Sequence, residues 1–224
     1  MKNCSLPTRK ECFDILEEYR VPSHIVKHSL AVVKLAVFLA QKLKEKGTAI
    51  NVELVDRACL LHDVMRVCDL KESDYRKLEQ KYSQEYRPKW QQLRVRYKGI
   101  PHEDAAYDIL KEKYQVLAAV IRKHRYISML DEQERPKTWE DKLVYYADKR
   151  VMHERIVSLE KRLADGHERN VHSHGTKAQS KINTAKVDPL IFELEKEIFE
   201  LIGMDSDEVT DELIDSYSKQ GAKE

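Results

Sequence analysis

Six side chains of this sequence could together hold metal ions: His28, the adjacent pair His62-Asp63, His102, His124 and Asp148. Neutral imidazole and carboxylate are donors that iron, manganese, zinc and nickel accept. A carboxylate buried beside an imidazole also needs a counter-charge, because an unpaired buried ion costs several kcal/mol. A divalent cation supplies that charge. Two cations about 3.5–4 Å apart polarise a phosphoryl oxygen and lower the pKa of a water between them, giving a hydroxide for in-line attack at phosphorus. Any one of these histidines alone reads more simply as a satisfied core residue. The chemistry resides in the set.

The set requires helices that bring distant positions together. Thr8 followed by Glu11 forms a capping box that opens a helix running to about Tyr19, and Arg20-Val21-Pro22 breaks it. From Ser23 to Lys46 the positions Ile25, Val26, Ala31, Val32, Leu35, Ala36, Leu39, Ala40 and Leu43 recur at helical spacing, and Gly47 stops the run. His28 lies on that stripe with Val32 and Leu35. Asn51 caps a third helix, which ends in Leu60-Leu61-His62-Asp63. Further helices are predicted from about His102 to Lys113, Gln115 to Arg125 and Trp139 to His153, continuing through Leu163. Asp165 to Asp188 reads as a polar linker or a loosely held helix. A stripe from Leu190 to Ile202 follows Pro189, packing within the chain or forming a subunit contact of a homodimer. A last acidic helix is predicted over Asp207 to Ser218, and no strand pair is evident. Between Val67 and Gly99 the composition turns to Lys, Arg, Gln, Glu and Tyr with Trp90, which marks an insert of two polar helices.

With 224 residues, 42% apolar and 35% charged, and only 6 Gly and 6 Pro, the chain has length for a real core and favours an all-α fold. Forty Lys and Arg against 39 Asp and Glu give no global charge to attract nucleic acid, although a local basic patch stays open. Met1 to Leu6 lack the apolar stretch of a signal peptide, and the most apolar run, Leu30 to Ala40, is interrupted by Lys34, so no membrane span is expected. Cys4, Cys12, Cys59 and Cys68 make no C-x-x-C pair, and Cys59 falls in an apolar helical pattern, which fits the reducing cytosol.

The order of the donors resembles the HD superfamily of metal-dependent phosphohydrolases, in its H…HD…H…H…D two-metal subgroup. The residues that carry this are Val21-Pro22-Ser23-His24-Ile25-Val26-Lys27-His28-Ser29, Ala58-Cys59-Leu60-Leu61-His62-Asp63-Val64, Gly99-Ile100-Pro101-His102-Glu103-Asp104-Ala105, Ile121-Arg122-Lys123-His124 and Tyr145-Tyr146-Ala147-Asp148-Lys149. The resemblance implies an HD-type helical bundle over residues 1–165, with a polar helical insert at about 68–99, and a C-terminal helical extension over 166–224. It also implies that His28, His62, Asp63 and Asp148 hold one divalent metal (Fe, Mn, Ni, Zn or Mg), while Asp63 bridges to a second held by His102 and His124. The expected activity is hydrolysis of a phosphoester or phosphoanhydride of a small molecule, a nucleotide first of all, by metal-bound hydroxide. The family often writes its central motif His-Asp-Ile-Gly-Lys, where this chain has His62-Asp63-Val64-Met65-Arg66. Arg66 could replace the phosphate-binding lysine with a bidentate donor, while Met65 narrows the space beside the metals. Asp63, Arg66 and Lys149 are the expected catalytic residues, with Arg66, Arg122, Lys123 and Lys149 as substrate-binding candidates.

Two other functions fit the same donors: a mixed-valence diiron oxygenase of the inositol oxygenase type, and a metal-stabilised binding module that turns nothing over. The GYP motif of cyclic-dinucleotide hydrolases is absent. His24 could face the site from one turn before His28, or serve helix packing. His153, His167, His172 and His174 receive less weight, the last three in a polar stretch read as solvent-exposed. In the insert, Lys77, Lys81, Tyr82, Tyr86, Arg87, Lys89, Trp90, Arg94, Arg96 and Tyr97 could cap a nucleotide or meet RNA. The plainer reading packs the aromatics on the core.

Overall fold

The Thr8 hydroxyl accepts from Glu11 N–H, and the Glu11 carboxylate takes the Thr8 N–H in return, so α1 (Arg9–Glu18) begins where the sequence places it. The computed structural model describes residues 5–170 and 177–221. Cys4, His172 and His174 lie outside them. After α1 come α2 (Ser23–Glu45), α3 (Val52–Leu61), α4 (Glu72–Lys81), α5 (Arg87–Arg96), α6 (His102–Leu110), α7 (Gln115–Arg122), α8 (Trp139–Asp148), α9 (Leu159–Asn170), α10 (Lys177–Ile202) and α11 (Asp211–Gly221). The fold is all-α, with one two-stranded ribbon among the described residues, made of β1 (Val151–Met152) and β2 (Arg155–Ile156).

The long helix α2 is the axis. Val32, Leu35, Ala36, Leu39, Ala40 and Leu43 are fully buried, and the helix packs on α3, α8 and α10. Its 23 residues are long and apolar enough to cross a bilayer, but its apolar stripe here forms the centre of the helical core. It ends at Gly47, whose φ of 86° suits a residue without a side chain. Asn51 accepts from Leu54 N–H at 3.0 Å and starts α3.

Three expectations are corrected. The helix of Trp139 does not continue to His153: it stops at Asp148, and a tight hairpin follows, with Val151 opposite Ile156 and His153 at φ 57° in the turn. Two-residue strands are too short to leave an alternating pattern. Of the linker or loosely held helix expected before Pro189, the stretch from Lys177 is helical and continuous with the stripe, so Pro189 sits inside α10, where it gives up one backbone hydrogen bond. Packing outweighs that loss, since Val187, Ile191, Leu194, Ile198, Phe199 and Ile202 are buried in the main core. The stripe thus packs within its own chain. His167 is half-buried and paired with Asp188 at 2.8 Å rather than free in solvent.

The insert carries a small core of its own, in which Val67, Tyr75, Leu78 and Trp90 are buried. Trp90 donates to the carbonyl of Arg20 at 2.8 Å, and Tyr82 and Tyr86 stand edge-on to its ring. Arg94 donates to the carbonyls of Val67 and Leu70. The packed reading therefore accounts for Trp90, Tyr75 and Arg94.

Candidate metal centre

The six donors are delivered by five helices. His28 comes from the second turn of α2, His62 and Asp63 follow the end of α3, His102 opens α6, His124 follows α7 and Asp148 closes α8. The structure brings all six together.

The four imidazoles share one orientation. The last carbonyls of a helix lack intrahelical partners, and two rings use them: His62 Nδ1 lies 2.7 Å from the oxygen of Cys59, and His124 Nδ1 lies 2.6 Å from that of Ile121. His28 Nδ1 lies 2.9 Å from the carbonyl of His153 in the hairpin turn, and His102 Nδ1 lies 2.7 Å from Asp69 Oδ2. An oxygen acceptor at Nδ1 requires the N–H there, which leaves a lone pair at Nε2. All four Nε2 atoms point into one space. His28 Nε2 is 3.1 Å from Asp148 Oδ1, and His62 Nε2 is 3.7 Å from the same oxygen and 3.6 Å from Asp63 Oδ2. His102 Nε2 is 3.1 Å from Asp63 Oδ1, and His124 Nε2 is 3.9 Å from it.

These contacts form two groups of metal-ligating geometry, His28-His62-Asp63 and Asp63-His102-His124, with Asp63 in both. Asp148 stands beside the first. Two features show that a cation fits. His62 Nε2 is fully buried with no hydrogen-bond partner among the described residues, and His102 Nε2 faces His124 Nε2 at 3.2 Å. Two lone pairs so close need a proton or a cation between them.

The local charges agree. Burial opposes ionisation of Asp63, but His62, His102 and Arg66 hold its carboxyl well below the usual range. For Asp148 burial is likewise outweighed, by Lys149, His28 and His62. Burial pushes His124 down to about 4, so its ring is neutral. Burial also works against a charged His102, yet Glu103, Asp63 and Asp69 pull it up to about 10 against Arg66. Without a metal, a proton on His102 relieves the facing lone pairs.

The basic candidates are placed differently. Arg66 donates through Nη1 to Asp69 Oδ1 at 2.8 Å, and its Nε and Nη2 make no hydrogen bond to a described residue. Lys149 is buried, and its Nζ donates to Asp148 Oδ2 at 2.6 Å and to the His124 carbonyl at 3.0 Å. Arg122 pairs with Asp104 at 2.7 Å and Glu134 at 3.4 Å. Lys123 pairs with Asp141, the capping residue of α8, at 2.6 Å. The last three, expected to meet phosphate, are thus each paired with neighbouring groups of the protein, Arg122 at the surface and Lys149 in the interior. His24 is exposed, with Nδ1 held at 3.1 Å by Tyr82 Oη.

Three participants escaped sequence reasoning. The carbonyl of His153 left no signal. Asp69 left a weak one, its position three after Arg66 on a helical turn. Glu103, next to His102, is buried with Oε2 3.4 Å from His102 Nδ1.

Residues 25–152 match the HD domain family. The chain belongs to that family. The HD superfamily consists mostly of metal-dependent phosphohydrolases, and the clustered histidines and aspartates are the part of this HD domain suited to divalent metal. A comparison with curated proteins finds no match, and a comparison with solved structures finds none.

Proposed function

We propose that this HD protein is a phosphohydrolase that works with two divalent cations and cleaves a phosphoester or phosphoanhydride of a small molecule, a nucleotide first among the candidates. The observation that carries the proposal is the sharing of Asp63 by both donor groups. In this reading His28, His62, Asp63 and Asp148 hold one cation, and Asp63, His102 and His124 hold the other. The cations, when bound, polarise the phosphoryl oxygen and make water acidic enough to attack near neutral pH.

The chain's own residues supply orientation and charge. Main-chain carbonyls fix the rings of His28, His62 and His124, so their Nε2 lone pairs need no reorganisation on metal uptake. Lys149 ties Asp148 to the carbonyl of His124 and so fixes one donor from each group. Arg66 remains beside the centre with unpaired donors, which suits a phosphate oxygen and favours hydrolysis over oxygenation. The free, buried thiols of Cys12, Cys59 and Cys68 suit a reducing compartment such as the cytosol.

The test is elemental analysis of protein purified without added metal, then a nucleotide and phosphoester panel with Mn or Fe under anaerobic conditions. Phosphate release without oxygen is the expected result. Substrate-dependent oxygen consumption by iron-loaded protein, with no phosphate released, overturns it. Arg66→Ala should raise KM about tenfold, roughly 1.4 kcal/mol of binding, with little change in kcat.

A further inference from the structure

Three of the four rings are oriented by main-chain oxygens, which no substitution removes. His102 is the exception. Its Nδ1 donates to Asp69 Oδ2 at 2.7 Å, and its backbone N–H, one of the free amides opening α6, donates to the same oxygen at 3.0 Å. The other oxygen of Asp69 accepts from Arg66 Nη1 at 2.8 Å. One carboxylate thus holds a donor of the second group and the cation next to the centre.

We propose that Asp69 is a positioning residue for the second cation: it fixes the tautomer and tilt of His102 and the place of Arg66. This inference rests on the two-cation reading. Asp69 ends the turn Arg66–Asp69 and His102 begins α6, so their contact ties together the two ends of the insert of about residues 68–99. The second half of the centre and the root of the insert are therefore one unit.

Asp69, His102 and Glu103 also satisfy the spacing of a metal-ligating group. A cation does not belong there. The Arg66 guanidinium already occupies the space, 3.1 Å from His102 Nδ1, and an N–H donating to Asp69 has no lone pair for a metal. Glu103, at 3.4 Å from Nδ1, is the more distant carboxylate, and the His102 amide donates to Asp69. The orienting role therefore falls to Asp69.

The test titrates metal-free, full-length protein with Mn(II) by calorimetry and counts bound manganese after gel filtration. Wild-type protein should take two equivalents. Asp69→Ala should keep the first at wild-type affinity and bind the second about 10–100-fold more weakly. Asp69→Asn, which keeps an acceptor oxygen for His102 Nδ1, should show a smaller loss confined to the second equivalent. Two equivalents bound by both variants at wild-type affinity overturn the role of Asp69 alone. So does equal weakening of both equivalents with helical content preserved, which marks a merely structural residue. Should Asp69→Ala not fold, the Asn variant decides by the same criterion. A wild-type protein that takes only one equivalent overturns the two-cation reading, and this inference with it.

Discussion

On one side of Asp63 stand His28, His62 and Asp148, carried by α2, α3 and α8; on the other stand His102 and His124, carried by α6 and α7. The first side is assembled on α2, the axis of the core, with α3 and α8 packed against it, and its rings lean on carbonyls of Cys59 and His153. The second side follows the insert, and its His102 leans on a side chain. A ring held by a main-chain oxygen tolerates substitution around it, whereas a ring held by a side chain at the neck of an insert can be adjusted by a single substitution.

The largest expected effect abolishes the comparison. Asp63→Ala removes the one donor common to both sides, so both cations should be lost and hydrolysis should fall by more than about a thousandfold, roughly 4 kcal/mol of transition-state stabilisation. Elemental analysis and the phosphate assay read it together. An active variant with both metals bound would refute the shared role.

Removing one ligand from each side measures the asymmetry. His102→Ala leaves His28, His62, Asp63 and Asp148 intact and should retain one tightly bound cation. His28→Ala leaves fewer donors on its own side, and should retain one cation held by Asp63, His102 and His124. Manganese stoichiometry should read one equivalent in each, the affinity of that equivalent distinguishes the two, and activity should fall about a hundredfold or more in each. Equal loss of both metals in both variants would show that the sides do not fill independently.

Lys149 joins the sides rather than belonging to either. Replacing it with Met leaves the buried Asp148 without its nearest cation and frees the carbonyl of His124. Breaking a buried pair by removing one partner costs about 3–5 kcal/mol. Denaturant unfolding of the metal-free protein should show a loss of that size, and added Mn(II) should restore part of it by binding the native state. An unchanged midpoint would place Lys149 outside the framework.

Much of this was legible in the sequence because it is local. Capping at Thr8 and Asn51, the stripe of α2 and the stop at Gly47 each depend on residues within a turn or two, and they set the helices that deliver the six donors. Contacts across long sequence separation left no trace. The His153 carbonyl reaches His28 from a hairpin too short to alternate, and Asp69 meets His102 only because the insert folds back on itself. The partners of the basic residues were equally hidden: Arg122, Lys123 and Lys149 meet Asp104, Asp141 and the His124 carbonyl only through helix packing. The continuity of the helix through Pro189 was hidden for a related reason: local propensity argues against it, and the apolar face it lays on the core decides otherwise.

The smallest effect concerns two thiols, one on each side. Cys59 lies in α3 and is fully buried; Cys68 lies in the turn beside Asp69 and is 6% exposed. Burial pushes the Cys68 thiol up to about 12 and that of Cys59 well above its ordinary value. A thiol raised in the folded state keeps its proton where the unfolded chain releases it. These cysteines therefore leave stability unchanged below about pH 9 and diminish it as pH rises from there toward 12. At pH 8 the folded thiols hold almost no thiolate, so alkylation must proceed through opening of the structure. If the neck of the insert is the looser side, iodoacetamide should modify Cys68 through local opening well below the denaturant concentration at which Cys59 reacts. Mass spectrometry of the alkylated peptides reads both sites in one sample, and simultaneous labelling would mean that the two sides open as a single cooperative unit.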